Sequence, residues 1–246
     1  MTFTTVPWLE LALAVSLAGL TCVMLLPSPR RWALLASGLA LALTLCEWLC
    51  HHAGWVSAPG PRWLPWLVVD HFSAPLLPLA ALLHFVVALA APRPEVGRRS
   101  FGCLAASLAL QLAKFGVAAP WPLAGLLMLG TIPPMVEMAG RGRISGLFAL
   151  HAWVQDLFRR CQLGAGLLFV LPVTGVYAGV RLVMPADLAP WVMQGLGVLS
   201  FFTAIAAAGL ALVQREARRM FVCLVLSQAS LVMVGLELQT PVGVTG

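Results

Sequence analysis

Residues 211–238 read ALVQREARRMFVCLVLSQASLVMVGLEL, in which a cluster of polar and charged residues, Gln214 to Arg219, separates two apolar runs. A run of about 20 apolar residues is long enough to cross a lipid bilayer as a helix. An arginine-rich turn between two such runs is typical of a pair of transmembrane helices whose connection stays on the cytoplasmic side. The same alternation of apolar runs and short basic breaks continues through the whole chain, so it decides the fold.

The composition is that of an integral membrane protein. Of the 246 residues, 61% are hydrophobic and only 10% are charged, and the mean hydropathy is +0.94. Soluble domains carry about 25% charged residues, so the charges here are too few to cover a soluble surface. The net charge of +6 indicates loop orientation and not a nucleic-acid-binding face. We therefore expect the lipid bilayer as a partner, and no nucleic acid.

Apolar runs predict an all-α fold, a polytopic bundle of about eight transmembrane helices that forms a single integral membrane domain over residues 1–246. The fifth run contains Pro133-Pro134, which should kink or end its helix because proline cannot donate the backbone hydrogen bond. The predicted helices are 7–26, 32–50, 66–91, 101–119, 121–139, 163–184, 190–213 and 220–238.

The basic residues predict an orientation. If the N-terminus lies outside, 12 of the 15 lysines and arginines fall in cytoplasmic loops, and only Arg62, Lys114 and Arg181 fall on the other side. This bias follows the rule that positive loops stay in the cytoplasm. It predicts that the arginine-rich loops are cytoplasmic, and we expect the membrane to be the inner membrane of a bacterium.

Residues 144–160, ISGLFALHAWVQDLFRR, differ from the spanning runs. Apolar residues recur there at helical spacing, while His151, Asp156 and Arg159 fall among them. This pattern predicts an interfacial or broken amphipathic helix.

Four motifs stand in order along the chain. They are Val69-Asp70-His71-Phe72-Ser73-Ala74-Pro75; Leu150-His151-Ala152-Trp153-Val154-Gln155-Asp156; Gly175 with Tyr177 and Arg181; and Val213-Gln214-Arg215-Glu216-Ala217-Arg218-Arg219 followed by Ser227-Gln228. Together they resemble motifs of the proton-translocating membrane subunits of NADH:quinone oxidoreductase and of Mrp-type antiporters. The resemblance implies structural or interface roles for Asp70, Ser73, Trp153, Asp156, Tyr177, Gln214, Glu216, Arg218, Arg219, Ser227 and Gln228.

The chain also departs from that family. Leu129 and Val173 stand where the resemblance places a glutamate and a lysine, and a helical hairpin expected before the Leu150 motif is missing. The resemblance therefore implies a short and divergent member of the family, one that we expect to be truncated relative to it. The resemblance implies a membrane subunit of an ion-coupled complex, working with other membrane and cytoplasmic subunits. Two alternatives stay open: a scaffold subunit that does not pump, and the membrane partner of a DAB-type complex that accumulates bicarbonate or CO2.

Titratable residues inside predicted helices are candidates for a proton path, because such groups are costly in lipid. Glu47 is one of these residues; the candidates we single out are His84, Lys114, Glu137 and His151. Three of them have a simpler alternative role. His84 could only hydrogen-bond a neighbouring helix, Lys114 could snorkel to the membrane surface, and Glu137 could pair with Arg141 one turn on.

No catalytic, metal or cofactor site is predicted. The six cysteines form no C-x-x-C pair, and in CEWLCHH (46–52) the adjacent histidines point about 100° apart on a helix, so a metal site there lacks ligands. A phosphate loop, a dinucleotide fingerprint and a nucleophile–base pair are also missing. Any enzymatic activity would be that of a translocase to which this chain belongs as a subunit.

Overall fold

The computed structural model describes residues 7–53, 66–91, 97–139, 172–183 and 190–237, with the single positions 164, 166 and 168. The predicted helix at 144–160, with His151, Trp153 and Asp156, lies outside the described residues. The chain divides into two compact units, residues 1–142 and 143–246. That the whole chain forms one membrane domain stays a prediction.

The described residues are helical, which confirms the all-α class for them. The first unit contains α1 (Trp8–Leu25), α2 (Pro29–His52), α3 (Leu76–Ala90), α4 (Arg98–Phe115), α5 (Pro120–Leu129) and α6 (Ile132–Ala139). The second contains α7 (Pro172–Ala178), which continues as a π-turn (Gly179–Val183), then α8 (Pro190–Val213) and α9 (Ala217–Glu237). Extended pairing within the described ranges is limited to an isolated bridge between Leu67 and Val117.

Within the described residues, four helical segments are long and apolar enough to cross a membrane: Trp8–Leu25, Pro29–His52, Pro120–Ala139 and Trp191–Val213. The third of these spans α5 and α6 together. Leu76–Ala90 and Arg219–Gly235 are apolar but shorter. The predicted number of about eight transmembrane helices is therefore not confirmed, although the apolar helices agree with an integral membrane protein.

The prediction of a helix over 66–91 was wrong at its start, because α3 begins only at Leu76. Residues 66–68 instead pair with the chain after α4, where the Val68 amide donates to the Gly116 carbonyl at 2.8 Å. Asp70 and Ser73 then form a capping box. The Ser73 amide donates to Asp70 Oδ1 at 2.8 Å, and the Asp70 amide donates to Ser73 Oγ at 2.9 Å. These contacts satisfy two amides of the turn that precedes α3. The N-cap of the helix itself, Pro75, receives no side-chain hydrogen bond.

The predicted break in the fifth helix is confirmed. Gly130 and Thr131 separate α5 from α6, and Pro133 and Pro134 lie in the first turn of α6. Proline is tolerated there because the first amides of a helix have no partner within it.

Helix α4 is the centre of the first unit. Twelve of its 18 residues are buried, and it packs against α1, α2, α3, α5 and α6. Since α4 is surrounded by these helices, a buried polar side chain on it needs a hydrogen-bond partner on one of them or on its own backbone.

The two ends of the first unit are held by different groups. At one end, here called the arginine end, Arg98 donates to the carbonyls of Met24 and Leu26 at 3.1 Å, and Arg30 donates to Leu89 O at 2.8 Å. At the other, the histidine end, His51 Nε2 and His71 Nδ1 lie 3.1 Å apart. The Leu67–Val117 bridge also lies at the histidine end. In the predicted orientation the arginine end is cytoplasmic.

In the second unit, α8 and α9 form the helical hairpin predicted from the opening stretch. Ala204, Ala207 and Ala211 are buried on one face of α8, and Ser227 Oγ of α9 donates to Ala204 O at 2.9 Å. In the turn, Arg219 Nε lies 2.9 Å from Glu216 Oε2. Small residues on α8 thus let the two helices approach closely.

Helices α1 and α2 cross closely at Gly19, since a Cβ atom there would overlap the Cβ of Ala36. We expect Gly19→Ala to destabilise the protein by about 1–3 kcal/mol through overpacking. The double variant Gly19→Ala/Ala36→Gly should recover most of this loss. Gly209→Ala, at a position with open space around it, is the control. The thermal unfolding midpoint in detergent measures all three, and an unchanged midpoint for Gly19→Ala would contradict the crossing.

The capping box gives a local prediction. Asp70→Ala removes the acceptor for the Ser73 amide and should cost about 1 kcal/mol, which would appear as faster amide hydrogen exchange over residues 71–76. Asp70→Asn keeps an acceptor oxygen and should exchange like the wild type. Equal exchange in Asp70→Ala and the wild type would show that the box does not order the turn before α3.

Candidate functional site: a buried polar row on helix α4

A row of polar side chains follows one face of α4. Ser100, Cys103, Ser107, Gln111 and Lys114 are three or four residues apart, which places them on the same face of the helix. We call these five residues the polar row. All but Ser100 are buried. At about 1.5 Å per residue the row is about 21 Å long, so it extends over most of the distance between the arginine and histidine ends.

At the arginine end the row meets a buried carboxylate. Ser100 Oγ donates to Glu137 Oε1 of α6 at 2.7 Å, and the Cys103 thiol lies within hydrogen-bonding reach of the same side chain. The prediction that Glu137 pairs with Arg141 involves a residue outside the described ranges. The described contacts instead join Glu137 to α4, so α6 is tied to the row.

In the middle the row meets an imidazole. His84 lies near the centre of α3, with Nε2 2.9 Å from Ser107 Oγ and Nδ1 2.7 Å from the carbonyl of Ala80. Ser107 Oγ also lies 2.8 Å from Leu104 O on its own helix. The hydrogen bond to a neighbouring helix, considered for His84 from the sequence, is therefore present.

Towards the histidine end the row contains the only lysine of the chain, Lys114. Its ammonium lies at the α5–α6 break, because a Cβ on Gly130 would come 2.9 Å from Nζ. The carbonyl end of α5 faces the same place, and it carries a partial negative charge that favours a cation. Lys114 also acts electrostatically on His84. The snorkelling role is therefore wrong, since the ammonium points into the unit and not to its surface.

Among the described residues of this unit, four acidic or basic side chains are almost completely enclosed. Their exposed fractions are 1% for Glu47, 1% for His84, 6% for Lys114 and 3% for Glu137. They come from α2, α3, α4 and α6. Glu47 lies in the last two turns of α2, towards the histidine end.

Three of the four proton-path candidates predicted from the sequence thus meet one row, whereas His151 lies outside the described residues. Sequence reasoning missed Ser100, Cys103, Ser107 and Gln111 as members of it. Their signal was the spacing of three and four residues between polar positions in an otherwise apolar helix.

The family-motif residues are placed as follows. Asp70 and Ser73 form the capping box, and Gln214, Glu216 and Arg219 lie at the α8–α9 turn. Tyr177 is buried, and the Arg181 guanidinium lies 5.4 Å from the centroid of its ring. Ser227 joins α9 to α8, Gln228 is exposed, and the side chain of Arg218 is not among those described. Partner contacts for these residues stay a prediction.

The described residues hold no group of three or more histidine, cysteine, aspartate or glutamate side chains placed to bind a metal ion. The His51–His71 pair is the closest approach of two imidazoles among them. We therefore find no metal ligand set in the described part of the row or at its ends.

A comparison with known protein families also supports a membrane protein. The model of the NADH:quinone oxidoreductase/Mrp antiporter transmembrane family matches residues 134–246. The chain matches this antiporter-like family over that stretch. The match runs from the first turn of α6 to the end of the sequence, so it covers Glu137 and the second unit. No curated protein and no solved structure gives a significant match to the chain.

The matched family consists of membrane subunits of multi-subunit complexes. With the apolar helices, this match identifies an integral membrane protein. The polar row itself, from Ser100 to Lys114, precedes the stretch that matches the antiporter-like family. Its geometry is therefore an observation on this chain and is not carried over from the family.

The position of the Lys114 ammonium can be tested at Gly130. A methyl group there would displace Nζ, which is the flexible end of a side chain, so we expect Gly130→Ala to fold normally. Because Lys114 is the only lysine, an amine-selective reagent followed by mass analysis of proteolytic peptides reports on it, separately from the N-terminal amine. We expect slow labelling in the wild type and faster labelling in Gly130→Ala.

Gly125→Ala is the matched control, since α5 leaves open space around Gly125. It should label as slowly as the wild type. Equally slow labelling in Gly130→Ala would show that Lys114 does not depend on the break.

Proposed function

We propose that this chain is a membrane subunit of an ion-coupled complex and that the polar row, with Glu137, His84 and Lys114, forms part of a proton pathway through the first unit. The energy for transport would come from partner subunits, since the described residues of this chain present no redox or nucleotide site. The family match over residues 134–246 supports the setting in a membrane complex.

One observation carries the proposal: ionisable side chains from four different helices are buried in a single apolar unit. A charged group is costly to bury away from water, and apolar side chains of similar size would pack at lower cost. Charged groups inside membrane helices therefore mark ion pathways more often than they serve stability.

The spacing of the groups suits stepwise proton transfer. Along α4, Ser100 lies about 10 Å from Ser107, and Ser107 lies about 10 Å from Lys114. Side chains on a helix lean towards its N-terminus, so the Lys114 ammonium reaches back towards Ser107 and shortens the second gap. Cys103 and Gln111 occupy the intervening turns. Water molecules between these groups would complete the path, as a proton needs a continuous chain of donors and acceptors.

A second function, a scaffold without transport, is favoured by one observation. Leu129 and Val173 are uncharged at the two positions where the family resemblance expects a glutamate and a lysine. In that case the buried groups would only hold the helices together.

Proton flux into membrane vesicles that contain the native complex separates the two functions. We expect Glu137→Gln and Lys114→Gln each to lower the flux on the order of tenfold or more, as loss of a proton-transferring group does. Glu10→Gln removes a carboxylate that belongs to neither the row nor its partners, and it should transport like the wild type. Assembly of each variant is checked by co-purification of the partner subunits.

Normal flux in both row variants, with normal assembly, would reject the proton pathway and leave the scaffold function. Loss of assembly together with loss of flux in the two variants would likewise assign the buried charges to structure.

A further inference from the structure

We infer that His84 takes part in the pathway as a proton store at one side of the polar row, loaded and emptied only through the Ser107 hydroxyl. This makes Ser107 the positioning residue that passes protons to and from the ring. This inference rests on the proposed function. It concerns two residues that lie before the stretch matched by the family model.

The first step is a count of protons on the imidazole. Nδ1 lies 2.7 Å from the Ala80 carbonyl, and a carbonyl oxygen can only accept a hydrogen bond. Nδ1 must therefore carry a proton whenever this bond exists. A neutral His84 has only one ring proton, so its Nε2 is an acceptor and the Ser107 hydroxyl donates to it.

The second step concerns Ser107, which has one hydroxyl proton and two possible acceptors. Oγ lies 2.9 Å from His84 Nε2 and 2.8 Å from Leu104 O. When the ring is neutral, the hydroxyl proton points to Nε2. When the ring is an imidazolium, Nε2 itself donates to Oγ, and the hydroxyl proton points to Leu104 O. Both protonation states are thus fully hydrogen-bonded with the same heavy-atom positions.

Loading the ring then follows a balanced sequence. An incoming proton forms a new O–H bond with a lone pair of Ser107 Oγ, and the original O–H bond breaks as its proton forms an N–H bond with Nε2. The remaining O–H of Ser107 turns to Leu104 O. One proton and one positive charge have been added to the imidazole, and emptying reverses these steps.

The same contacts exclude passage straight through the ring. A histidine that relays a proton accepts it on one nitrogen and releases it from the other. Nδ1 of His84 faces a backbone carbonyl, which is too weak a base to take the proton. The proton must therefore leave by the nitrogen through which it entered. Protons that move along the row pass through the Ser107 hydroxyl, and His84 holds a proton to one side of it.

Charged and titratable groups on the helices packed against α3 determine how readily the His84 ring takes up a proton. On α4, Lys114 acts electrostatically on the ring, so a charged ring and the ammonium repel each other. Loading His84 would then favour release of a proton from Lys114. The remaining groups of this kind on α2 and α4 are Arg30, Arg31, Cys46, Glu47, Cys50, His51, His52, Arg98, Arg99 and Cys103.

Proton flux of the assembled complex tests the role of the hydroxyl. We expect Ser107→Ala to lower the flux about tenfold, the effect of losing one hydrogen bond of ordinary strength. Ser107→Thr keeps a hydroxyl and should restore most of the flux. Ser37→Ala is the control, because the buried Ser37 hydroxyl donates only to carbonyls of its own helix among the described residues; its flux should match the wild type.

A spectroscopic readout tests the geometry independently of transport. Nitrogen-15 NMR of the full chain in lipid, with the His84 signals assigned by their loss in His84→Gln, reports which ring nitrogen carries the proton. We expect the neutral ring to be protonated at Nδ1, and the Nε2 signal to shift in Ser107→Ala but not in Ser37→Ala. A neutral ring protonated at Nε2 would overturn the inference whatever the flux.

The outcomes separate the inference from the proposed function. If Ser107→Ala transports normally while Glu137→Gln and Lys114→Gln do not, the pathway stands and the store is rejected. If none of these variants changes the flux, both are rejected.

Discussion

The interior of the first unit depends on one constraint: polar groups on α4 that are buried away from water must find partners on the surrounding helices. The low polarity of the interior makes an unpaired hydroxyl or charge expensive. Glu137 meets Ser100, and His84 meets Ser107. These contacts fix how α3 and α6 are rotated about α4. The break between α5 and α6 serves the same constraint, since Gly130 leaves room for the Lys114 ammonium at the carbonyl end of α5.

The polar row and the family match concern largely different parts of the chain. The row itself and His84 precede residue 134, where the match begins, and of the row's partners only Glu137 lies within the match. The two positions where the family resemblance expects charges are occupied by Leu129 and Val173. In our proposal, the proton chemistry of this chain therefore relies on groups of its first unit. The role of Ser107 follows from the hydrogen bonds of that unit and needs no analogy.

Much of the helical organisation could be predicted from the sequence, because long apolar runs and proline are strong local signals. The α8–α9 hairpin and the break before Pro133 are examples. The start of α3 could not, since it depends on pairing of residues 66–68 with residues 116–118, which are distant in sequence. The row was missed for a related reason: small neutral residues such as Ser107 are common in membrane helices, and only the register between α3 and α4 shows that it meets His84. The contact of Glu137 with Ser100 could not be predicted for the same reason, because the sequence does not give the register between α4 and α6.

The most direct test of the central claim is infrared difference spectroscopy of the complex during turnover. If protons move along the row, Glu137 must gain and lose a proton, and a carboxylic C=O band that shifts in heavy water should appear in the wild type and vanish in Glu137→Gln. The same band should persist in Glu10→Gln. A difference spectrum with no carboxylic band that depends on Glu137, recorded while the complex transports protons, would contradict a proton pathway through the row.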